Sequence, residues 1–347
     1  MPALDLFLEL AAIPSPPGEE RVVADRVTEE LQSIGLDVDE DGTGPEIGST
    51  MGNLYTRLEP AGDGTPIFLC AHLDTVPPEG PIEPVVEDGV VRNAAGTILG
   101  ADNKAAVAAM IEAARRTLEG GRAHSGLELV FTPKEEVGLR GAYAFDHTRL
   151  QAELGYVYDQ AAPIGEIVIG APWAASLEVA FHGRSAHAGM YPEDGRSAIA
   201  AAARAIADLR LGRIDEETSA NVGVIEGGTA RNIIPKHCRL KAEARSHDEA
   251  KLADVVREME EAFAFAAALE ECEVETQIDR SYRGYRFRKD EPAVALAAQA
   301  LERCGFTPSF ALTGGGAEAN VYTARGLPCA VLATGMAEIH TPDEHIA

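Results

Sequence analysis

Cysteine is sparse and unpatterned in this sequence. Cys70, Cys238, Cys272, Cys304 and Cys329 are odd in number, widely spaced and form no C-x-x-C pair. That argues against a disulfide framework and predicts a reduced, cytoplasmic protein. Long apolar runs are also missing, so no membrane span is expected. The amino-terminal MPALDLFLELAAIPSPPGEE has no basic flank and no cleavable apolar core, and so does not read as a signal peptide. Positive charge is short: lysine is scarce, arginine carries most of what there is, and the formal net charge is −26. A surface so acidic repels polyanions at long range, which excludes nucleic acid and anionic membrane as natural partners and reads instead as a solubilising shell. Phosphate signatures are absent as well. TGGGAEAN, residues 313–320, is glycine-rich but lacks the lysine of a P-loop, and no G-x-G-x-x-G fingerprint occurs. Neither internal repeats nor a low-complexity linker interrupts the chain.

What remains is a sequence of 347 residues, 46% apolar and 25% charged, enough for a sizeable core and long enough to predict two domains. A first helix over residues 3–12 stops at IPSPPGEE, whose prolines and glycine lead into an amphipathic helix from about Glu20 to Ile34. Strand-like NLYTRL and PIFLCAHL, the alanine-rich helix NKAAVAAMIEAARRTL and the strand GLELVFTPKEE then alternate. This order predicts an α/β fold with a mainly parallel mixed sheet sandwiched by helices, and functional residues at the carboxyl ends of its strands. Around Ala171 the pattern changes to β-α-β-β-α-β, a split βαβ (ferredoxin-like) unit. Helix and strand alternation resumes after it. The expected division is therefore residues 1–171 with 282–347 as one domain and 172–281 as an insertion.

Metal-binding and acid-base residues recur at the strand ends. His72 and Asp74 close PIFLCAHLD, Asp102 lies in a turn before a helix, Glu135 and Glu136 end LELVFTPKEE, Asp159 ends LGYVYD, and His340 follows VLATGMAEI. Each has a plainer reading alone. An H-x-D after a strand is commonly a surface hydrogen-bonded pair, an Asp before a helix an N-cap, a Glu-Glu pair a solvated face. Together they are different, because carboxylates gathered on one rim repel unless a cation neutralises them. Imidazole nitrogens and carboxylate oxygens are the donors that zinc and similar cations take.

The succession HLDT, GADNK, EE, YD and IHTPDE resembles the co-catalytic dizinc metallopeptidases that include peptidase T, aminoacylase, glutamate carboxypeptidase and succinyl-diaminopimelate desuccinylase. LGADNKAAVA, EEVGLRGA and IHTPDEHI most resemble the peptidase T-like branch, and the resemblance runs from IPSPPGEE to the end. It implies two divalent ions, Zn2+ or else Co2+ or Mn2+, with His72 and Asp159 on one, Glu136 and His340 on the other, and Asp102 bridging both. Asp74 is expected to orient and polarise His72 through its carboxylate, and Glu135 to act as general base. The Asp102–Asn103 peptide bond is expected to be cis.

In the inserted domain, HGRSAHAGMYPEDGRSAI alone reads as a capping loop before a helix, but it resembles the family's dimerisation-domain signature, and that resemblance implies a homodimer in which His187 of one copy stabilises the oxyanion in the other's active site. Asn232 in GGTARNIIP is expected on the substrate, also from the neighbour, and Arg245 on a substrate carboxylate. Gly315 and Gly316 would line the substrate pocket. There the family often has Ser-Asp where this chain has Ala317 and Glu318. The resemblance also implies a closing helix beyond IHTPDEHI, whereas this sequence stops at Ala347. The implied activity is that of a di- or tripeptide aminopeptidase. A deacylase of N-acyl amino acids would use the same metals and base. A catalytically silent metal-binding homologue should have lost a ligand or the base, and Glu135, Asp102 and both histidines are present.

Overall fold

The computed structural model describes residues 1–347. The chain divides into two compact units, Met1–Gly170 with Arg286–Ala347, and Ala171–Tyr285.

The first unit is built on a mixed sheet. Across it, strands follow the order Asp39–Glu40, Leu54–Leu58, Leu127–Thr132, Ile67–His72, Leu154–Gln160, Cys329–Ala333 and Glu166–Ala171, and Ser309–Leu312 pairs in parallel with Glu166–Ala171. The middle is parallel: Ile67–His72 pairs in parallel with both Leu127–Thr132 and Leu154–Gln160, and Cys329–Ala333 pairs in parallel with Leu154–Gln160. Antiparallel pairs flank it, Leu54–Leu58 on one side and Glu166–Ala171 on the other. The central strands read as continuous apolar runs because both faces are covered. In Leu127–Thr132 every residue is buried, and in Ile67–His72 all but the first. The parallel arrangement brings the carboxyl ends of these strands to one rim, with His72 paired opposite Thr132. A small antiparallel sheet orders Met336–Ala337, His345–Ile346, Val90–Asn93 and Pro84–Glu87. Its first two strands form a hairpin whose loop carries His340 and Glu344.

The second unit follows the order read from its sequence. Trp173–His182, Thr218–Gly227, His237–Ser246 and Glu273–Tyr282 pair antiparallel, in the sheet order second, third, first, fourth, which is the split βαβ arrangement. Helices Ala198–Asp208 and Glu249–Leu269 cover one face. His237–Ser246 accordingly alternates in burial along its length, and Val179, Phe181, Leu240 and Phe263 pack into the core beneath the helices. No helix is long and apolar enough to cross a membrane.

Candidate active site

On the rim of the first unit, one carboxylate faces two imidazoles. Asp102 Oδ1 lies 3.1 Å from His72 Nε2, and its Oδ2 lies 3.3 Å from His340 Nε2. Asp159 Oδ1 stands 3.7 Å from the same His72 nitrogen, and Glu136 Oε1 is 2.9 Å from the same His340 nitrogen. Donor atoms of His72, Asp102 and Asp159 all fall within 4.8 Å of one another, and so do those of Asp102, Glu136 and His340. The residues therefore form two adjoining sets that share Asp102. Glu135 belongs to the same neighbourhood, with donor atoms within 4.8 Å of His72 and Glu136 in one grouping and of Asp159 and Glu318 in another.

The backbone that presents Asp102 is specific. Gly100 adopts φ +77°, a left-handed conformation that suits glycine, and a Cβ there would meet Thr75 Cγ2 at 3.3 Å. The Asp102–Asn103 peptide bond is cis, and Asp102 and Asn103 depart from helical geometry before the helix proper begins. Glu344, buried, holds this turn. Its Oε2 accepts the N–H groups of Leu99 at 2.7 Å and Gly100 at 2.9 Å, and its Oε1 accepts that of Asp102 at 3.0 Å. Lys104 is fully buried on the following helix and donates from Nζ to the Ile13 carbonyl. Burial pulls its ammonium down to about 7, against the attraction of the Glu344 and Asp74 carboxylates. His340 itself sits at φ +63°, a region a non-glycine residue keeps only where its surroundings hold it.

Asp74 divides its oxygens differently from the sequence expectation. His72 Nδ1 is 2.8 Å from the backbone carbonyl of Asp74, and the carboxylate is further, at 3.7 Å. A carbonyl only accepts, so the neutral His72 carries its proton on Nδ1 and turns the Nε2 lone pair toward Asp102 and Asp159. The Asp74 carboxylate instead accepts the backbone N–H groups of Glu135 at 2.9 Å and Glu136 at 3.1 Å. The physical reason is register. His72 lies opposite Thr132, so the loop after one strand is beside the loop after the other, and the shortest reach for Asp74 is across to it. Asp74 thus orients His72 through its main chain and fixes Glu135 and Glu136 through its side chain.

Charge in the site is strongly coupled. Burial, and behind it the Asp159 charge, pushes the Glu135 carboxyl well above its ordinary range; burial and Asp102 do the same to Asp159. Asp102 moves the other way. Burial would raise it, but hydrogen bonds from His340 and His72 hold it well below the carboxylate range. Those bonds, first Asp102 and then Glu136, lift His340 to about 10. Burial works to lower His72, yet Asp102, Asp159 and Asp74 outweigh it and leave the imidazole well above its usual value. Two imidazoles and several crowded carboxylates form a donor set that suits divalent cations.

The surrounding carboxylates favour the protonated form of both imidazoles when no cation competes, and a ligating imidazole must be neutral. Adding a divalent cation to the metal-free protein at pH 7 is therefore expected to release protons. Affinity should rise with pH toward the His340 value of about 10. A titration in weakly buffered solution with a pH indicator checks this, and uptake without proton release would contradict the protonated pair.

In the second unit, Asn232 and His187 are neighbours. The Ala188 N–H donates to the Asn232 carbonyl at 3.0 Å, His187 pairs with Ile233 in an isolated bridge, and both side chains are exposed. Arg245 is partly buried and donates to Glu243 Oε2 at 2.9 Å. In the glycine-rich loop of the first unit, Gly315 is partly buried and its N–H donates to Thr313 Oγ1 at 3.2 Å; Gly316 is also partly buried.

Sequence reasoning missed Glu344 and Lys104, and it saw Glu318 only as a departure from a family pattern. Glu344 and Lys104 stand inside motifs singled out for other residues, IHTPDEHI and GADNK, but their partners lie far along the chain. For Glu318 the only local sign is an acid embedded in a small-residue loop.

The sequence matches the description "Peptidase family M28" over residues 53–160 and "Peptidase dimerisation domain", of the M20 type, over residues 169–270. Among solved structures, the chain is similar to aminopeptidase PepT from Bacillus cereus ATCC 10987, with 40% identity and a TM-score of 0.88. It is likewise similar to a tripeptidase from Staphylococcus aureus subsp. aureus mu50, with 34% identity and a TM-score of 0.93. Each comparison covers 99% of this chain and 92% of the other. An uncharacterised protein of Bacillus subtilis strain 168, YqjE, is 39% identical over 341 residues, 98% of this chain and 92% of that one. Fold and site define a metal-dependent peptidase. The chain belongs to the M20 peptidase superfamily, in its peptidase T-like branch.

Proposed function

We propose that this protein is an aminopeptidase of short peptides, di- or tripeptides, working with two divalent metal ions. The observation that carries the reading is the placement of Asp102 between His72 and His340, with one oxygen toward each imidazole. His72 and Asp159 would hold one ion, Glu136 and His340 the other, and Asp102 both. Bound cations supply Lewis acidity to the scissile carbonyl and lower the pKa of the attacking water. Glu135 receives that water's proton on a carboxylate oxygen and returns it to the departing amine nitrogen. Asp74 holds Glu135 at the strand end through its backbone N–H. The similarity to an aminopeptidase and a tripeptidase supports a peptide substrate.

The match to a peptidase dimerisation domain supports a homodimer. In that reading the exposed pair His187 and Asn232 serves the neighbouring copy's site, His187 on the oxyanion and Asn232 on the substrate. Arg245 would take a substrate carboxylate, and Gly315 and Gly316 would border the pocket. Zn2+ is the expected metal, with Co2+ or Mn2+ able to replace it.

One preparation, stripped with a chelator and reloaded separately with Zn2+, Co2+ and Mn2+, tests the proposal on tripeptides, dipeptides and N-acetyl amino acids. Hydrolysis of tripeptides with release of the amino-terminal residue is expected only after reloading. Turnover confined to acylated substrates would replace the peptidase reading with a deacylase. Full activity from a strictly monomeric sample in sedimentation would remove His187 and Asn232 from the active site.

A further inference from the structure

Glu318 is the first residue of the short helix Glu318–Ala324 and is completely buried. The helix start is pinned by Asn320, whose Oδ1 accepts the Ala317 N–H at 3.1 Å. One oxygen of Glu318 is satisfied: Oε1 accepts the hydroxyl of Thr132 at 2.6 Å. The other, Oε2, is buried with no hydrogen-bond partner. Glu318 also has a donor oxygen within 4.8 Å of oxygens of Glu135 and Asp159, which are themselves within that distance of each other.

An unpaired buried oxygen is costly, and a buried carboxylate among like charges is costlier. A bound cation would offset both costs. Oxygens that share one ion at about 2.0–2.6 Å can stand as much as about 5 Å apart, and the spacing to Asp159 falls inside that limit.

We infer that Glu318 is a further carboxylate donor of the metal centre, on the side of the ion that Asp159 holds. The inference rests on the dinuclear reading above. An added oxygen donor raises the coordination number and favours hard, octahedral cations over tetrahedral Zn2+. Glu318 therefore tilts this position toward Mn2+.

The test is calorimetric titration of the metal-free protein with Mn2+ and, separately, with Zn2+. Wild-type protein should take two equivalents. Glu318→Gln keeps the volume and an acceptor for Thr132 but removes the charge. It is expected to weaken Mn2+ at one of the two sites by about 10- to 100-fold and Zn2+ there clearly less. Glu318→Asp, one methylene shorter, withdraws the carboxylate and should weaken the same site; it decides the matter if the Gln variant fails to fold by circular dichroism. Wild-type stoichiometry of two with unchanged Mn2+ binding in the variants overturns the role of Glu318 alone. An equal loss for both metals overturns it too, since a merely structural residue would act that way. Fewer than two equivalents in the wild type overturns the dinuclear reading, and this inference with it.

Discussion

Glu135→Gln is expected to lower kcat on a tripeptide by about 10²- to 10⁴-fold, the span of a positioned general base, while metal content stays at the wild-type value. The substitution keeps shape and volume and removes only the ability to take a proton. Glu135 stands beside the two metal-ligand sets, and its main-chain N–H is gripped by Asp74, so the amide should occupy the same place. KM should change little, because the lost interaction belongs to proton transfer and not to ground-state binding. Metal analysis together with steady-state kinetics checks both halves. Wild-type turnover in the variant would remove Glu135 from its role, and loss of metal would make it a ligand.

Asp102→Asn is expected to have the opposite signature, with activity and metal lost together. No other side chain presents one oxygen to each imidazole. Changes to groups that merely support a ligand already cost about 10- to 100-fold in affinity, so removing charge from the shared ligand should cost at least about 100-fold. The backbone should survive, since Glu344 holds the Asp102 N–H rather than its side chain. The metal-free variant should also be less stable, by up to about 3 kcal/mol, because protonated His72 loses its buried counter-charge unless it sheds the proton. Calorimetric metal titration and thermal unfolding of the metal-free variant provide the readouts. Two equivalents bound at wild-type affinity would refute the bridging role.

The two substitutions also differ in how far each residue was legible. His72, Asp102, Glu136, Asp159 and His340 stood out because donors recur at successive strand ends, and a parallel sheet must carry such ends to one rim. The alternation of β and α elements, and its change near Ala171, was equally local. Asp74 was legible as a neighbour of His72, but not the use of its oxygens. That depended on the register between Ile67–His72 and Leu127–Thr132, which brings the Glu135 and Glu136 amides within its reach. Glu318 looked like a pocket residue in a glycine-rich loop, and only the folded chain sets it beside Glu135 and Asp159.

The sequence by itself determined the element order, the donor types and the charge of the surface, because these follow from periodicity and composition along short stretches. Tertiary structure decided which oxygen meets which hydrogen. Glu344 reaches Leu99 across 245 positions, and Glu318 reaches Thr132 across 186. Contacts at such separations are fixed by packing and register to fractions of an ångström, and hydrogen bonding and metal coordination both turn on distances that small.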